Sequence, residues 1–264
     1  MQLTDKQLQE IDRDGFLVLP DLFSPAEVDI IRSRLPALLN EDSPANIIEQ
    51  LSGKVRTCMG LHLRDEVFAK LVRHPRLVNP ARQIRQAALY VQQAKVNVKA
   101  AFSGEVWQWH YDFATHRNDD GVAAPLALNL HIFLDDVTPF NGPLYFIPGS
   151  HRHGAQKTFH DTKTTSYPLW VVEESIVRDL IARAQQINPE RGIVAATGKQ
   201  GTGLIFTDTL LHCSPNNMSP WDRSIFSLIL NPVNNAYRYD NRPDYKHHRN
   251  ISSVQPLQDD CLIT

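Results

Sequence analysis

Cysteine is scarce in this sequence of 264 residues, and long apolar runs are missing from it. The three cysteines, Cys58, Cys213 and Cys261, are widely spaced and form no CxxC pair, which argues against a disulfide framework and a cysteine zinc site. No apolar stretch approaches the roughly 18–20 residues that cross a bilayer. The charged N-terminus also lacks the apolar run of a signal peptide. We therefore expect a cytoplasmic protein with no membrane partner.

Charge of either sign is not in excess. Lysine and arginine number 27 and aspartate and glutamate 29, so the formal net charge is −2. A balance of this kind gives no electrostatic footprint for nucleic acid, and we expect no nucleic-acid partner. Hydrophobic residues at 42% and charged residues at 21% are typical of a globular protein. The length suits one domain, residues 1–264, that buries a sizeable core.

The pattern of apolar and polar residues changes along the chain. Up to about residue 88, capping residues such as Thr4 and Ser24 precede segments with helical periodicity, which predicts helices over 3–14 and from Pro25 to about Leu39. From residue 89, apolar and polar residues alternate as they do in half-buried strands. Strands are predicted at 16–20, 89–99, 126–134, 143–147, 203–207 and 224–230, further helices at 65–73, 76–88 and 170–188, and loops at 40–60.

Helices followed by many short strands predict an antiparallel sandwich or barrel covered by the N-terminal helices. The helical part spans about 1–88 and the β-rich part about 89–233. The tail, 234–264, is polar and carries no clear pattern.

Three residues stand out as candidate metal ligands: His110 and Asp112 in WQWHYDF, and His212 in DTLLHCSPNN. An H-x-D pair on a strand points both side chains to one face, and a histidine on a neighbouring strand completes a set of two histidines and one carboxylate. This set is diagnostic of non-haem Fe(II) oxygenases, since it leaves three adjacent coordination positions. Alone, H-x-D is equally compatible with a surface salt bridge on a strand.

Arg223 strengthens the metal hypothesis. It follows His212 by eleven residues and precedes the apolar run 224–230. A guanidinium there can hold the distal carboxylate of 2-oxoglutarate as a bidentate pair, while the 2-oxo acid group and O2 take the open metal positions. A surface ion pair is the alternative for an arginine considered singly.

The whole chain resembles the phytanoyl-CoA dioxygenase-like family of Fe(II)/2-oxoglutarate enzymes. The resemblance rests on DGFLVLPDLFSPAEV (14–28), WHYDF, NGPLYFIPGSHRHG (141–154) and GLIFTDTLLHCSPNNMSPWDR (203–223), which occur in the family's order. Within it, residues 90–113 are most similar to ectoine hydroxylases and to small bacterial hydroxylases of free amino acids such as leucine.

The resemblance implies a mostly β fold with flanking helices and a double-stranded β-helix core, the cupin-like jelly roll. It also implies an iron site of His110, Asp112 and His212, with 2-oxoglutarate and O2 as co-substrates. Because the carboxylate of Asp112 is present, hydroxylation is favoured over the halogenation carried out by relatives with Gly or Ala there. Asn97 and Asn129 are candidate further donors to 2-oxoglutarate, or else structural hydrogen-bonding residues of the sheet.

Candidate substrate-binding residues are Gln93, His116 and Arg117. Gln93 occupies a position that the ectoine hydroxylase branch uses for substrate contact, and His116 and Arg117 follow the HxDF element, where a lid or pocket wall is expected. His116 stands where ectoine hydroxylases have tryptophan, which favours another small zwitterion. Arg117 is expected either to bind a substrate carboxylate or to face solvent. The acidic pair 119–120 is expected either to bind an ammonium group or to form a charged turn.

Other conspicuous residues are interpreted as structural. His131 alternates with apolar residues and is expected to be a satisfied strand histidine. His151 and His153 follow a PGS turn and are expected in a loop. Trp109 and Cys213 flank metal-ligand candidates and are expected to point to the opposite faces of their strands.

The leading hypothesis is a hydroxylase of a free L-amino acid or similar small metabolite that releases succinate and CO2. Two alternatives stay open. The same chemistry could act on a carrier-bound or larger natural-product intermediate, although the lack of basic clusters disfavours CoA. The second alternative is a non-catalytic jelly-roll binding protein. The presence of all four residues, His110, Asp112, His212 and Arg223, argues against it. The sequence leaves the oligomeric state open.

Overall fold

The computed structural model describes residues 1–263, and it consists of a core of short strands with helices packed around it. The helices are α1 Asp5–Asp14, α2 Pro25–Leu39, α3 Glu66–Leu71, α4 Pro75–Arg85, α5 Asp112–Asn118 and α6 Glu174–Ile187. The strands are β1 Phe16–Leu19, β2 Asn46–Ile48, β3 Val55–Met59, β4 Leu89–Lys99, β5 Trp107–His110, β6 Leu128–Phe133, β7 Leu144–Phe146, β8 Thr158–Asp161, β9 Leu169–Val172, β10 Val194–Ala196, β11 Gly203–Thr207, β12 His212–Ser214 and β13 Arg223–Pro232.

The two N-terminal helices begin at the capping residues expected from the sequence. The side chains of Thr4 and Ser24 each accept a hydrogen bond from the backbone N–H of the third residue of their helix. The side chains of those third residues, Gln7 and Glu27, accept one from the backbone N–H of the cap, so both helices begin with a complete capping box. Gly15 ends α1 at a φ of 85°, a left-handed conformation that glycine adopts without strain. The chain then turns directly into β1.

The strands form two facing sheets with antiparallel pairing, as the predicted jelly-roll core requires. The large sheet has the order β1-β11-β6-β13-β4-β3-β2, and the smaller one has the order β10-β7-β12-β5. A separate hairpin pairs β8 with β9. Strands distant in sequence are neighbours in both sheets, which is typical of jelly-roll topology.

The central strands of the large sheet separate the helix-packed core from an interior cavity. In β4 and β13, one set of alternate residues packs under the helices, including Val96 and Phe226, whose ring lies 5.7 Å from that of Phe68 in α3. The other set faces the space between the sheets, because successive side chains on a strand point to opposite faces. That inward set comprises Gln93, Lys95, Asn97, Arg223, Ile225, Ser227 and Ile229.

Three local predictions are corrected by the structure. Residues 40–60 are not only loops, since β2 and β3 lie there and extend the large sheet beyond β4. The segment 170–188 begins as a strand, β9, and becomes helical only at Glu174. The H-x-D pair does not share a strand: His110 is the last residue of β5, and Asp112 is the first residue of α5.

Among residues 1–263, no helix has both the length and the apolar character needed to span a membrane.

Candidate functional site

His110 and His212 lie directly opposite each other on β5 and β12 of the smaller sheet. Their rings are 4.2 Å apart between centroids. Asp112 joins them from the first turn of α5, and one ligand atom from each of the three residues lies within 4.8 Å of the others. In the described residues 1–263, this is the one group of three histidine, cysteine or acidic side chains with metal-binding geometry.

Both imidazoles present the same nitrogen toward Asp112. The Nδ1 atom of His110 lies 2.6 Å from the carbonyl oxygen of Gln108, and Nδ1 of His212 lies 2.9 Å from that of Leu210. A proton on Nδ1 satisfies each carbonyl, so each Nε2 keeps its lone pair for a metal ion. The two Nε2 atoms are each 3.9 Å from one oxygen of Asp112.

The electrostatics of the three residues suit a divalent cation. Burial, together with the neighbouring His212, lowers the pKa of His110 to about 3, so its ring is neutral. Burial alone would raise the pKa of Asp112, but His212, His110 and Lys95 together bring it below its usual value, so the carboxylate is ionised. Two imidazoles and one carboxylate with open positions are the donor set of a non-haem Fe(II) site.

The ligand group opens into the cavity between the sheets, and Arg223 stands at one end of that cavity. Its side chain is buried, and Nη2 donates to the carbonyl oxygen of Gly142 at 2.5 Å and to Oγ of Ser214 at 3.1 Å. Burial lowers the pKa of this guanidinium to about 9, which still leaves it charged. Its Nε atom has no partner in the described chain, so a donor is left for a ligand.

Further buried polar groups of the cavity lining have no hydrogen-bond partner among residues 1–263. Nδ2 of Asn129 and Oγ of Ser227 are among them. A buried polar group without a hydrogen bond is costly, so several such groups in one cavity indicate a polar ligand there. Together with the guanidinium group of Arg223, these donors suit an anionic ligand.

The structure brings most of the predicted site residues to this cavity. Asn97 and Gln93 line it, but each is also engaged structurally: Thr57 Oγ1 donates to Asn97 Oδ1 at 3.0 Å, and Gln93 Nε2 donates to the carbonyl oxygen of Lys246 at 2.5 Å. His116 lines it too, with Nδ1 3.7 Å from Oδ2 of buried Asp208.

Arg117 and the acidic pair lie elsewhere. Arg117 is exposed on α5 and does not line the cavity, as expected from the solvent-facing alternative. Asp119 accepts a hydrogen bond from Trp170 Nε1 at 2.9 Å. Asp120 is buried and paired with Arg242. Neither acidic side chain faces the cavity, so the ammonium-binding alternative is not supported.

Of the residues interpreted as structural, His131 departs from expectation. It lines the cavity, and its Nδ1 has no partner in the described chain, whereas a satisfied strand histidine was expected. His151 and His153 lie in a short 3-10 helix, Ser150–His153, rather than in a loop, and His151 Nε2 lies 3.1 Å from the carbonyl oxygen of Asp12. Trp109 packs into an apolar cluster, and Cys213 is buried.

Lys95, Tyr167 and Arg242 are among the cavity residues that the sequence analysis misses. Lys95 lies between Gln93 and Asn97 in the alternation of β4, so the strand period alone could have placed it. Its position within the sheet lowers its pKa through burial, while Asp112 counteracts the shift. Tyr167 precedes β9 and Arg242 belongs to the patternless tail, where no local signal marks an inward side chain.

The jelly-roll fold, the three ligands and the buried arginine together define a 2-oxoglutarate-dependent non-haem iron dioxygenase. Comparison with known proteins agrees with this class. The sequence model of the phytanoyl-CoA dioxygenase (PhyH) family matches residues 11–225, and the chain belongs to that family.

Curated relatives match over nearly the whole chain. An L-proline trans-4-hydroxylase of Streptomyces griseoviridis is 37% identical over 95% of this chain and 94% of its own length. An ectoine dioxygenase of Bordetella parapertussis is 33% identical over 99% of this chain and 88% of its own length. A crystal structure of EctD from S. alaskensis with 2-oxoglutarate and 5-hydroxyectoine superimposes with a TM-score of 0.83 at 31% identity, covering 97% of this chain and 87% of that one.

Proposed function

We propose that this protein hydroxylates an unactivated C–H bond of a free L-amino acid or a similar small zwitterion, and converts 2-oxoglutarate and O2 to succinate and CO2. The observation that carries the proposal is the presence of two separate guanidinium groups, Arg223 and Arg242, in the wall of one cavity with the metal ligands between the sheets. One suits the distal carboxylate of 2-oxoglutarate, and the other suits a carboxylate on the substrate.

The chain's own residues bind and orient the reactants. His110, Asp112 and His212 would hold the iron ion from one side, and the bound iron supplies the oxidising chemistry with 2-oxoglutarate and O2. Arg223 would fix the far end of 2-oxoglutarate, with Asn129 and Ser227 as further hydrogen-bonding groups. Such positioning determines which substrate carbon lies next to the metal.

The substrate end of the cavity is rich in cations and poor in acids. Lys95 and Arg242 line it together with Gln93, Tyr167 and His116, and Asp112 is the one carboxylate in the lining described for residues 1–263. A substrate carboxylate therefore has two cationic partners. A substrate ammonium group has acceptors such as the amide oxygen of Gln93 or the hydroxyl group of Tyr167.

The relatives support a small substrate of this kind, because proline and ectoine both combine a carboxylate with a nitrogen-containing ring. We favour an amino acid over ectoine, since His116 replaces the tryptophan expected of ectoine hydroxylases. We further propose that residues 1–264 form a single catalytic domain of a cytoplasmic enzyme, consistent with three buried free cysteines.

The test is a panel of the proteinogenic amino acids and ectoine, incubated with the protein, Fe(II), 2-oxoglutarate and O2. Succinate release and a mass gain of one oxygen in one panel member are expected. Arg223→Met should lower turnover for that member, whereas Arg32→Met, at an arginine outside the cavity, should leave it unchanged. If no panel member stimulates succinate release, the free amino acid substrate is wrong, and a larger or carrier-bound substrate takes its place.

A further inference from the structure

Asp120 lies two residues after α5 and outside the cavity lining, with 1% of its surface exposed. Both of its carboxylate oxygens are engaged. Arg242 Nε donates to Oδ1 at 2.7 Å, Arg242 Nη2 donates to Oδ2, and Nδ1 of His247 lies 2.9 Å from Oδ2. Asp120 therefore binds the guanidinium group of Arg242, a residue whose side chain lines the cavity.

The backbone of Asp120 holds the same part of the chain. Its carbonyl oxygen accepts hydrogen bonds from the backbone N–H of Arg238 at 2.8 Å and of Tyr239 at 2.9 Å. The neighbouring Gly121 has a φ of +70°, and a Cβ there would lie 2.9 Å from the Tyr239 ring. Residues 236–249, which we name the C-terminal strap, therefore pack directly on Asp120 and Gly121.

The strap is fastened at its other end to β4. Gln93 Nε2 donates to the carbonyl oxygen of Lys246, and the backbone N–H of His248 donates to the carbonyl oxygen of Gln92 at 2.8 Å. Arg242 lies between the two attachments, and it is the one residue of the strap in the lining described for the cavity. Its orientation consequently depends on what holds the strap on either side.

The ion pair with Asp120 can fix the orientation of the Arg242 side chain as well as neutralise its charge. A bidentate contact fixes the plane of a guanidinium, which a single point contact does not. Breaking a buried pair leaves an uncompensated charge, so loss of Asp120 would free Arg242 to seek solvent. Burial would raise the pKa of Asp120, but His247 and Arg242 lower it to about 2, so the carboxylate remains charged.

We propose that Asp120 is a positioning residue for substrate recognition, which holds Arg242 against the cavity and fastens the C-terminal strap over it. This inference rests on the proposed function, in which Arg242 binds the substrate carboxylate. Asp120 itself does not touch the substrate, because its oxygens are already occupied by Arg242 and His247.

The kinetic test compares Asp120→Asn with Asp119→Asn, using L-proline as the probe substrate. Asp120→Asn should raise KM for L-proline by about tenfold or more while KM for 2-oxoglutarate changes little, because a misoriented guanidinium weakens substrate binding alone. Asp119→Asn keeps its contact with Trp170 and should behave like the parent. In an Arg242→Gln background, Asp120→Asn should raise KM no further. A further rise there would show a general structural role and overturn the proposal.

Hydrogen–deuterium exchange provides a test that needs no substrate. In Asp120→Asn, amides of residues 236–249 should exchange at least about tenfold faster than in the parent, whereas β13 should keep its protection. Unchanged exchange in the strap would refute the role of Asp120 whatever the kinetics show. If the parent does not convert L-proline but the strap loosens as expected, the choice of substrate is wrong and the positioning role stands.

Discussion

His110 and His212 are held by the same local device. Each ring directs Nδ1 to the carbonyl oxygen of the residue two positions earlier in the chain, which is Gln108 of β5 in one case and Leu210, just before β12, in the other. His110 and His212 are also direct partners across the sheet. Nearby backbone carbonyl groups, rather than a distant acidic side chain, thus select the tautomer that binds metal.

Asp112→Ala should abolish iron binding and hydroxylation without unfolding the protein. The carboxylate supplies the anionic ligand, and two histidines alone hold Fe(II) poorly, so the affinity for Fe(II) should fall by more than about 100-fold. Equilibrium dialysis of Fe(II) and succinate release would measure this, with circular dichroism as the check on folding. Full turnover in Asp112→Ala would contradict the ligand assignment.

Arg223→Lys should raise KM for 2-oxoglutarate about 10–100-fold with little change in iron affinity. The lysine keeps the charge but loses the planar donor array, and in particular the unpaired Nε donor. Steady-state kinetics at varied 2-oxoglutarate would show the change. The control variant Arg32→Lys, at an exposed arginine, should have the same KM for 2-oxoglutarate as the parent. An unaltered KM in Arg223→Lys would contradict the assignment of Arg223 to the 2-oxoglutarate site.

Phe226→Ala should destabilise the fold by about 3–5 kcal/mol, because it opens a cavity where β13 packs under the helices. The adjacent Ile225 faces the cavity between the sheets, so Ile225→Val should cost only about 0.5–1.5 kcal/mol and instead alter substrate or co-substrate KM. Urea denaturation gives both free energies of unfolding. An equal loss in the free energy of unfolding for the two variants would contradict the assignment of Phe226 and Ile225 to opposite faces of β13.

Glu27→Gln should reduce stability in a pH-dependent way. Glu27 is buried; burial favours a raised pKa, but hydrogen bonds from Arg76 and Ser24 lower it below the ordinary 4.5. A depressed pKa means that the ionised group stabilises the fold above pH 4.5, and that this contribution is lost as pH falls through the lower, folded-state pKa.

The stability difference between the parent and Glu27→Gln should therefore be about 1–3 kcal/mol at pH 7 and shrink in acid. Denaturation at pH 7 and in acid would measure it. Asp29→Asn, at an exposed position of the same helix, is the matched control and should show little difference at either pH. A gap that stays constant with pH would contradict the ion-pair explanation.

The sequence predicts those features that are encoded locally. The caps at Thr4 and Ser24 place the first helices, and the alternation of residues 89–99 gives β4. The motif around His110 together with His212 identifies the metal ligands because each donor lies in a recognisable segment. Even there, the turn from β5 into α5 was not predicted, although Asp112 still reaches the site from the helix.

Long-range contacts account for the rest. Asp120 and Arg242 are 122 positions apart, and neither belongs to a periodic segment whose pattern would join them. The strands β2 and β3 likewise depend on partners: β3 pairs with the edge of β4, and β2 pairs with β3. Chain topology decides such pairings, and a single sequence carries no local record of them.

The two faces of β13 contact different parts of the molecule, and this has a practical consequence. Its even-numbered side chains, such as Phe226 and Leu228, pack under the helices, whereas Ile225 and Ile229 line the cavity between the sheets. Substitutions at these two cavity-facing positions can therefore change which molecule fits the cavity and spare the packing under the helices. A library restricted to Ile225 and Ile229, with Arg223 kept, offers a route to new hydroxylation specificities.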